Sequence, residues 1–143
     1  MRDFFGRLFR PFVAKRWKYR IMPGFTPDQH HQIGLALFVL GVWSNGLISR
    51  VHEGGDIADD GVTRIWCVPL EGDTGGVCHN AFGLINIDPH YTGDTCRMIA
   101  LHEIMHNLGV THIEGRPSVM QAELGSLAGL PTEEDKQLVR VIT

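Results

Sequence analysis

Residues 102–112 read His102-Glu103-Ile104-Met105-His106-Asn107-Leu108-Gly109-Val110-Thr111-His112, the pattern H-E-x-x-H-x-x-G-x-x-H. On a helix, His102 and His106 stand four residues apart. They differ by about 40° around the axis and about 6 Å along it, so both imidazoles can reach one ion. Glu103 lies about 100° further round, too close in sequence to be a comfortable third ligand but well placed beside a water on that ion. His112 cannot join by continuing the helix, because it would then lie about 15 Å along the axis from His102. The chain has to turn back, and Gly109 can take the positive φ that ends a helix without a Cβ clash. With that turn, His112 completes a three-histidine set and leaves a fourth tetrahedral position to water.

Three neutral imidazoles leave a zinc ion its full +2 charge, which lowers the pKa of a bound water from about 15.7 toward about 7. Glu103 is then the candidate general base. It would take the proton and return it to a leaving amine while zinc polarises the substrate carbonyl. The expected reaction is peptide hydrolysis without a covalent acyl-enzyme, and the expected cofactor is one catalytic Zn2+. Average composition puts five specified residues at this spacing on the order of 10⁻⁵ per chain of this length, so a chance cluster of surface or core histidines is a poor account. A chain that kept the ligands for structure alone would have no need of Glu103.

Working outward, the helix that carries His102 and His106 is expected to begin at Asp94 or Thr95, either of which can cap it, and to run to Gly109. After it, Pro131-Thr132-Glu133-Glu134-Asp135 opens a last helix with acids at its positive end, carrying Leu138, Val139, Val141 and Ile142. Before it, Lys18-Tyr19-Arg20-Ile21 alternates as a strand does and stops at Pro23-Gly24. Thr26 can cap a helix with Pro27 at its first position, running to about Ser44 and ended by Asn45-Gly46. Short β-rich stretches follow at 47–52, 62–69, 77–82 and 84–87. Strand, helix, several strands, helix, helix is an α+β order with α/β-type layers.

With 143 residues, 43% apolar and 20% charged, and a mean hydropathy of −0.03, the chain fits one folded domain and neither wholesale disorder nor a multispanning membrane protein. The net charge of −3 is uneven: residues 1–20 carry seven Lys/Arg against Asp3 alone, and residues 21–143 carry six against fifteen Asp/Glu. No basic face remains on the body to neutralise phosphates, so no nucleic acid is expected as partner. Residues 1–16 read as a basic amphipathic arm ahead of a domain at 17–143. Phe4, Phe5, Leu8, Phe9 and Phe12 make a helical stripe off which Arg2, Arg7 and Arg10 fall, and Pro11 stops it. Such an arm either docks on an acidic membrane surface or protein partner, or packs its phenylalanines on the domain. Its arginines break every apolar run before a secretory signal could form, and the longest apolar-rich stretch, Ile33–Trp43, is far below the roughly 20 residues of a spanning helix. A cytoplasmic monomer is the default expectation. Cys67, Cys78 and Cys96 make no C-x-x-C pair, which leaves reduced thiols and one disulfide with a thiol left over as open alternatives.

With these elements placed, residues 17–143 resemble the metzincin clan of zinc endopeptidases and, within it, the matrixins, the matrix-metalloproteinase-like catalytic domains. Met120 in Pro117-Ser118-Val119-Met120 lies eight residues after His112, a matrixin-like interval for the methionine turn of that clan. Lys18-Tyr19-Arg20-Ile21, Phe25-Thr26-Pro27-Asp28, Trp43-Ser44 and Leu130-Pro131-Thr132-Glu133-Glu134-Asp135 follow the family's order. The resemblance implies a zincin fold: a twisted, mostly parallel sheet with an antiparallel edge strand, an active-site helix, a Met-turn and a C-terminal helix. Gly75-Gly76-Val77-Cys78-His79-Asn80-Ala81-Phe82 looks like the edge strand, which would put Cys78, His79, Asn80 and Ala81 along an extended protein or peptide substrate. It further implies a side-chain pocket walled by Leu101–His102 and by Gln121-Ala122-Glu123-Leu124.

The chain departs from the family in several ways. The segment before Gly75 is short and lacks the stretch that binds a structural zinc and calcium in typical matrixins. His79 stands one place off the matching position, where Asn80 is found; it and His90 are then loop histidines rather than ligands of a second zinc. Calcium ligands could be drawn from Asp56, Asp59, Asp60, Asp73, Asp88 or Asp94, but an acidic loop is equally well simply solvated, so calcium is not indicated. No cysteine-bearing propeptide is expected, hence no latency of that kind. Ile113 replaces the usual serine, and no tyrosine follows Met120, which implies that zinc carries most of the oxyanion charge. The alternative function is a non-catalytic module of the same fold, docked through the basic arm; Glu103 discriminates between the two and favours the enzyme.

Overall fold

The computed structural model describes residues 15–51, 61–122 and 131–143. The phenylalanine stripe of the arm, the candidate calcium ligands Asp56, Asp59 and Asp60, and the pocket residues Glu123-Leu124 lie outside them. In chain order the elements are β1 (Trp17–Ile21), α1 (Pro27–Trp43), β2 (Ile48–Arg50), β3 (Val62–Cys67), β4 (Gly76–His79), β5 (Leu84–Ile87), α2 (Gly93–Asn107) and α3 (Glu133–Ile142). The fold is mixed α/β. Its five strands lie in the order β2-β1-β3-β5-β4; β1 is parallel to β2 and β3, β3 is parallel to β5, and only β4 runs antiparallel, against β5.

Local chemistry accounts for α1. Thr26 accepts the Gln29 N–H at 3.2 Å while the Gln29 side chain accepts the Thr26 N–H at 3.0 Å, a reciprocal capping box with Pro27 at the first position. The same Gln29 is 1% exposed and donates to the carbonyls of Pro89 and Tyr91 at 2.7 and 3.0 Å, fastening the helix to the loop before α2. At the other end Asn45 takes φ 55°, and the Ser44 hydroxyl accepts the Ile48 N–H at 3.0 Å, leading the chain into β2. Ile33, Ala36, Leu37 and Leu40 of α1, Ile65 and Ile85 of the sheet, and Ile99, Leu101 and Ile104 of α2 belong to one buried cluster. Its apolar area removed from water is the main favourable term in folding.

Two elements differ from expectation. The edge strand does not run through Phe82: β4 ends at His79, and Asn80–Phe82 form a 3-10 turn closed by Gly83 at φ 60°. Asn80 and Ala81 are therefore turn residues rather than strand positions. The reason is tertiary, since the Asn80 side chain accepts from Asn107 at 2.9 Å and donates to the His106 carbonyl at 3.5 Å, drawing the chain onto the end of α2. In α2 the cap is Thr92, two residues before Asp94 and three before Thr95, and its side chain makes no capping bond. Asp28 of α1 takes the Gly93 N–H at 3.1 Å instead. All three cysteines are free. Among the described residues no helix is long and apolar enough to cross a membrane.

Candidate metal centre

His102 and His106 share one face of the last two turns of α2, their ring centroids 4.6 Å apart and nearly perpendicular. The helix ends as its sequence requires. Gly109 at φ 105° donates its N–H to the His106 carbonyl at 2.9 Å, and Val110 donates to the Met105 carbonyl at 3.0 Å, the paired bonds of a Schellman ending. That reversal brings the His112 ring to 4.7 Å from His106 and 5.2 Å from His102. The His106 and His112 Nε2 atoms are 3.0 Å apart. One ligand atom from each of the three lies within 4.8 Å of the others, close enough to bind a metal ion. His79, His90, Asp73, Asp88 and Asp94 are not part of this group, and it is the one such cluster among the described residues.

The protonation pattern suits a ligand set. The Nδ1 of His102 lies 2.7 Å from the Val119 carbonyl and that of His106 lies 2.8 Å from the Val110 carbonyl. A carbonyl can only accept, so both Nδ1 atoms carry the hydrogen and both Nε2 atoms present a lone pair. Burial, together with the neighbouring imidazoles, pulls the His102 pKa down to about 4, against the opposing bond to Val119. Burial likewise lowers that of His106. Both rings are neutral at pH 7, as metal ligation demands.

Glu103 is 7% exposed. Its side chain lies on the backbone of the edge strand: a Cβ at Gly76 would fall 2.7 Å from its Cγ and 3.0 Å from Ile99 Cγ2. Burial pushes its carboxyl up to about 7, a shift that a cation on the adjacent imidazoles would oppose. Nearby, Tyr19 donates to Asn107 Oδ1 at 2.5 Å, Asn107 donates to Asn80 Oδ1 at 2.9 Å, and the Cys78 thiol reaches the same oxygen at 3.1 Å. That thiol is held neutral, its pKa pushed up to about 11 by burial and then by Glu103. Cys78 and His79 lie on β4, whose far side has no strand partner among the described residues.

Met120, fully buried, sits in a turn with Val119, and its carbonyl accepts the Ile113 N–H at 2.9 Å, closing the loop that follows His112. This turn is held from α3. Asp135, 0% exposed, accepts from the Ser118 hydroxyl at 2.5 Å and from the Val119 and Thr132 N–H groups at 3.0 Å each. Since the Val119 carbonyl orients His102, a buried carboxylate on α3 stands two bonded steps from a candidate ligand. From the sequence, Asp135 reads only as a helix-end charge, Gly76 and Asn80 only as edge-strand positions, and Asn107 and Tyr19 carry no site role. The spacing Thr132-x-x-Asp135 was the available signal for a cap, but nothing local points Asp135 at Ser118. No family model matches this chain, and no curated protein matches it.

Proposed function

We propose that this chain is a zinc-dependent endopeptidase of the matrixin type, with His102, His106 and His112 holding the ion and Glu103 as general base. The observation that carries this reading is the position of Glu103. It is a buried carboxylate on the helix that carries two of the three converging imidazoles, one residue from a candidate ligand, and it lies against Gly76 of the strand β4. Three imidazole donors suit a borderline cation such as zinc. Two ligands at about 2.05 Å from one tetrahedral ion stand about 3.3 Å apart, close to the 3.0 Å between the His106 and His112 nitrogens.

When bound, zinc supplies Lewis acidity that makes water nucleophilic near neutral pH and polarises a scissile carbonyl. The chain's own residues do the rest. The Val119 and Val110 carbonyls fix the tautomer and orientation of two ligand rings. The Glu103 carboxylate takes a proton from water and delivers it to the departing amine. The side of β4 that has no strand partner among the described residues offers backbone N–H and C=O groups to an extended peptide, which would add as a further strand.

Zinc content and cleavage of an unfolded protein such as casein test the reading together. Wild type should hold one zinc per chain and lose activity reversibly on chelation. Glu103→Ala should keep the zinc and lose about 10²–10⁴-fold in kcat/KM. Equal rates in the two proteins would remove Glu103 as base. A zinc-loaded wild type that cleaves no peptide in a proteome-derived library would favour the binding-module alternative.

A further inference from the structure

From Ile33 to Trp43 α1 carries no polar side chain, a pattern that belongs to a helix covered all round. Ile33, Ala36, Leu37 and Leu40 are buried, yet Phe38 is 69% and Val42 56% exposed. These two side chains wall an open groove between α1 and the edge strand β2, lined also by Gly34, Leu37, Gly41 and Ile48. We propose that the phenylalanine face of residues 4–12 of this same chain occupies the groove.

The path of the chain leads there. Trp17 pairs with Ile48, and its N–H is bonded to the Leu47 carbonyl at 2.8 Å, so the arm joins β1 at the Ile48 end of the groove. Gly41 packs at that end, its Cβ position 3.1 Å from the Ile48 carbonyl, and Gly34 lies at the other end, 3.5 Å from the Arg50 guanidinium. A helix over residues 4–10, ended by Pro11, is about 10 Å long; with Pro11 and Phe12 extended after it, the stripe covers the roughly 13 Å of residues 34–42 of α1. Residues 13–16, after Pro11, can extend about 13 Å, enough to reverse direction before Trp17. In that orientation Phe9 and Phe12 come near Val42, and Phe4 and Phe5 come near Gly34. Arg2, Arg7 and Arg10, off the stripe, stay in water. The segment 52–60 reads HEGGDIADD; with four acids and a single large apolar residue it carries no stripe to fill the groove.

The test is trypsin cleavage of the full chain after Arg7, the Arg10–Pro11 bond being resistant, followed by intact mass, with light scattering on a sizing column. Wild type should be monomeric and cut slowly. Val42→Lys should speed cleavage about tenfold or more, because protection tracks the docked population; Phe9→Ser should do the same, and the double variant should add nothing further. Val42 and Phe38 are exposed on α1, so Phe38→Ser serves as a second groove variant that need not disturb folding. Cleavage unchanged by both groove variants would overturn the proposal. So would a dimer that Val42→Lys dissociates, which would make a second copy the occupant. Binding to phosphatidylcholine/phosphatidylserine vesicles that Phe9→Ser abolishes and Val42→Lys leaves intact would overturn it in favour of a membrane.

Discussion

At the β4 edge of the sheet, backbone and side chains are tied by directed polar contacts: Asn80 to Asn107 and the His106 carbonyl, Tyr19 to Asn107, and Glu103 against Gly76. At the β2 edge, α1 meets the strand through Gly41, Ile48 and Leu37, and the surface beyond is an open apolar groove. Apolar contact rewards buried area with little regard to register, whereas a hydrogen bond weakens steeply when its angle is wrong. A metal centre needs its donors placed within fractions of an ångström, and the candidate centre lies on the side where positions are specified by bonds.

The sharpest way to break this contrast is a matched pair. Asp135→Ala strands the Ser118 hydroxyl and the Val119 and Thr132 N–H groups and should cost about 3–5 kcal/mol. Leu40→Ala, a cavity in the apolar layer under α1, should cost about 2–5 kcal/mol. Urea unfolding measures both, and competition with a chromogenic chelator measures metal affinity. Only the Asp135 variant should also weaken metal binding, by about tenfold or more, because it frees the carbonyl that orients His102; Asp135→Asn repeats the test in a more stable background. Equal affinity losses would mean that the two sides are not independent.

Next in size is Gly76→Ala. Its Cβ would press on the Glu103 stem and Ile99, and a displacement near 1 Å can cost about 10²-fold in kcat. Zinc content should not change, and an unaltered kcat would show that Glu103 needs no support from the edge strand. Gly109→Ala should cost about 1–2 kcal/mol, because φ 105° is strained for any L side chain. Nothing lies within 4 Å of a Cβ there, so thermal unfolding isolates the backbone effect; a stability equal to wild type would mean that the turn relaxes.

The smallest expected effect concerns acid stability. The N–H groups of Leu70 and His90 hold the Asp88 carboxyl below the usual carboxylate range, Leu70 making the larger contribution. A depressed native pKa adds stability that is complete above the unfolded value of about 3.9 and is lost as pH falls through the native one. Asp88→Asn should therefore flatten the stability curve below about pH 4. Superimposable acid limbs would place the acid sensitivity elsewhere.

Much of the candidate site is legible one segment at a time. His102 and His106 are four apart on one helix, Gly109 ends it, and Thr26 with Pro27 starts α1; each depends on atoms within a few residues. The start of α2 was not legible, because its exposed N–H is satisfied by Asp28, 65 residues away. Nor was the end of β4. Val77–Phe82 has the composition of a strand, and only the approach of α2 turns Asn80 out of it.

The sequence by itself determined that three histidines would meet around one point, since helix geometry and one positive-φ glycine suffice to bring them there. It equally determined a sheet of short strands with helices on either side of them in chain order. The tertiary structure alone decided which carbonyls orient the rings, which carboxylate holds the Val119–Met120 turn, and which backbone supports Glu103. A residue's type states what it can donate, accept or bury. Which distant partner stands within 3 Å is decided only when the whole core closes.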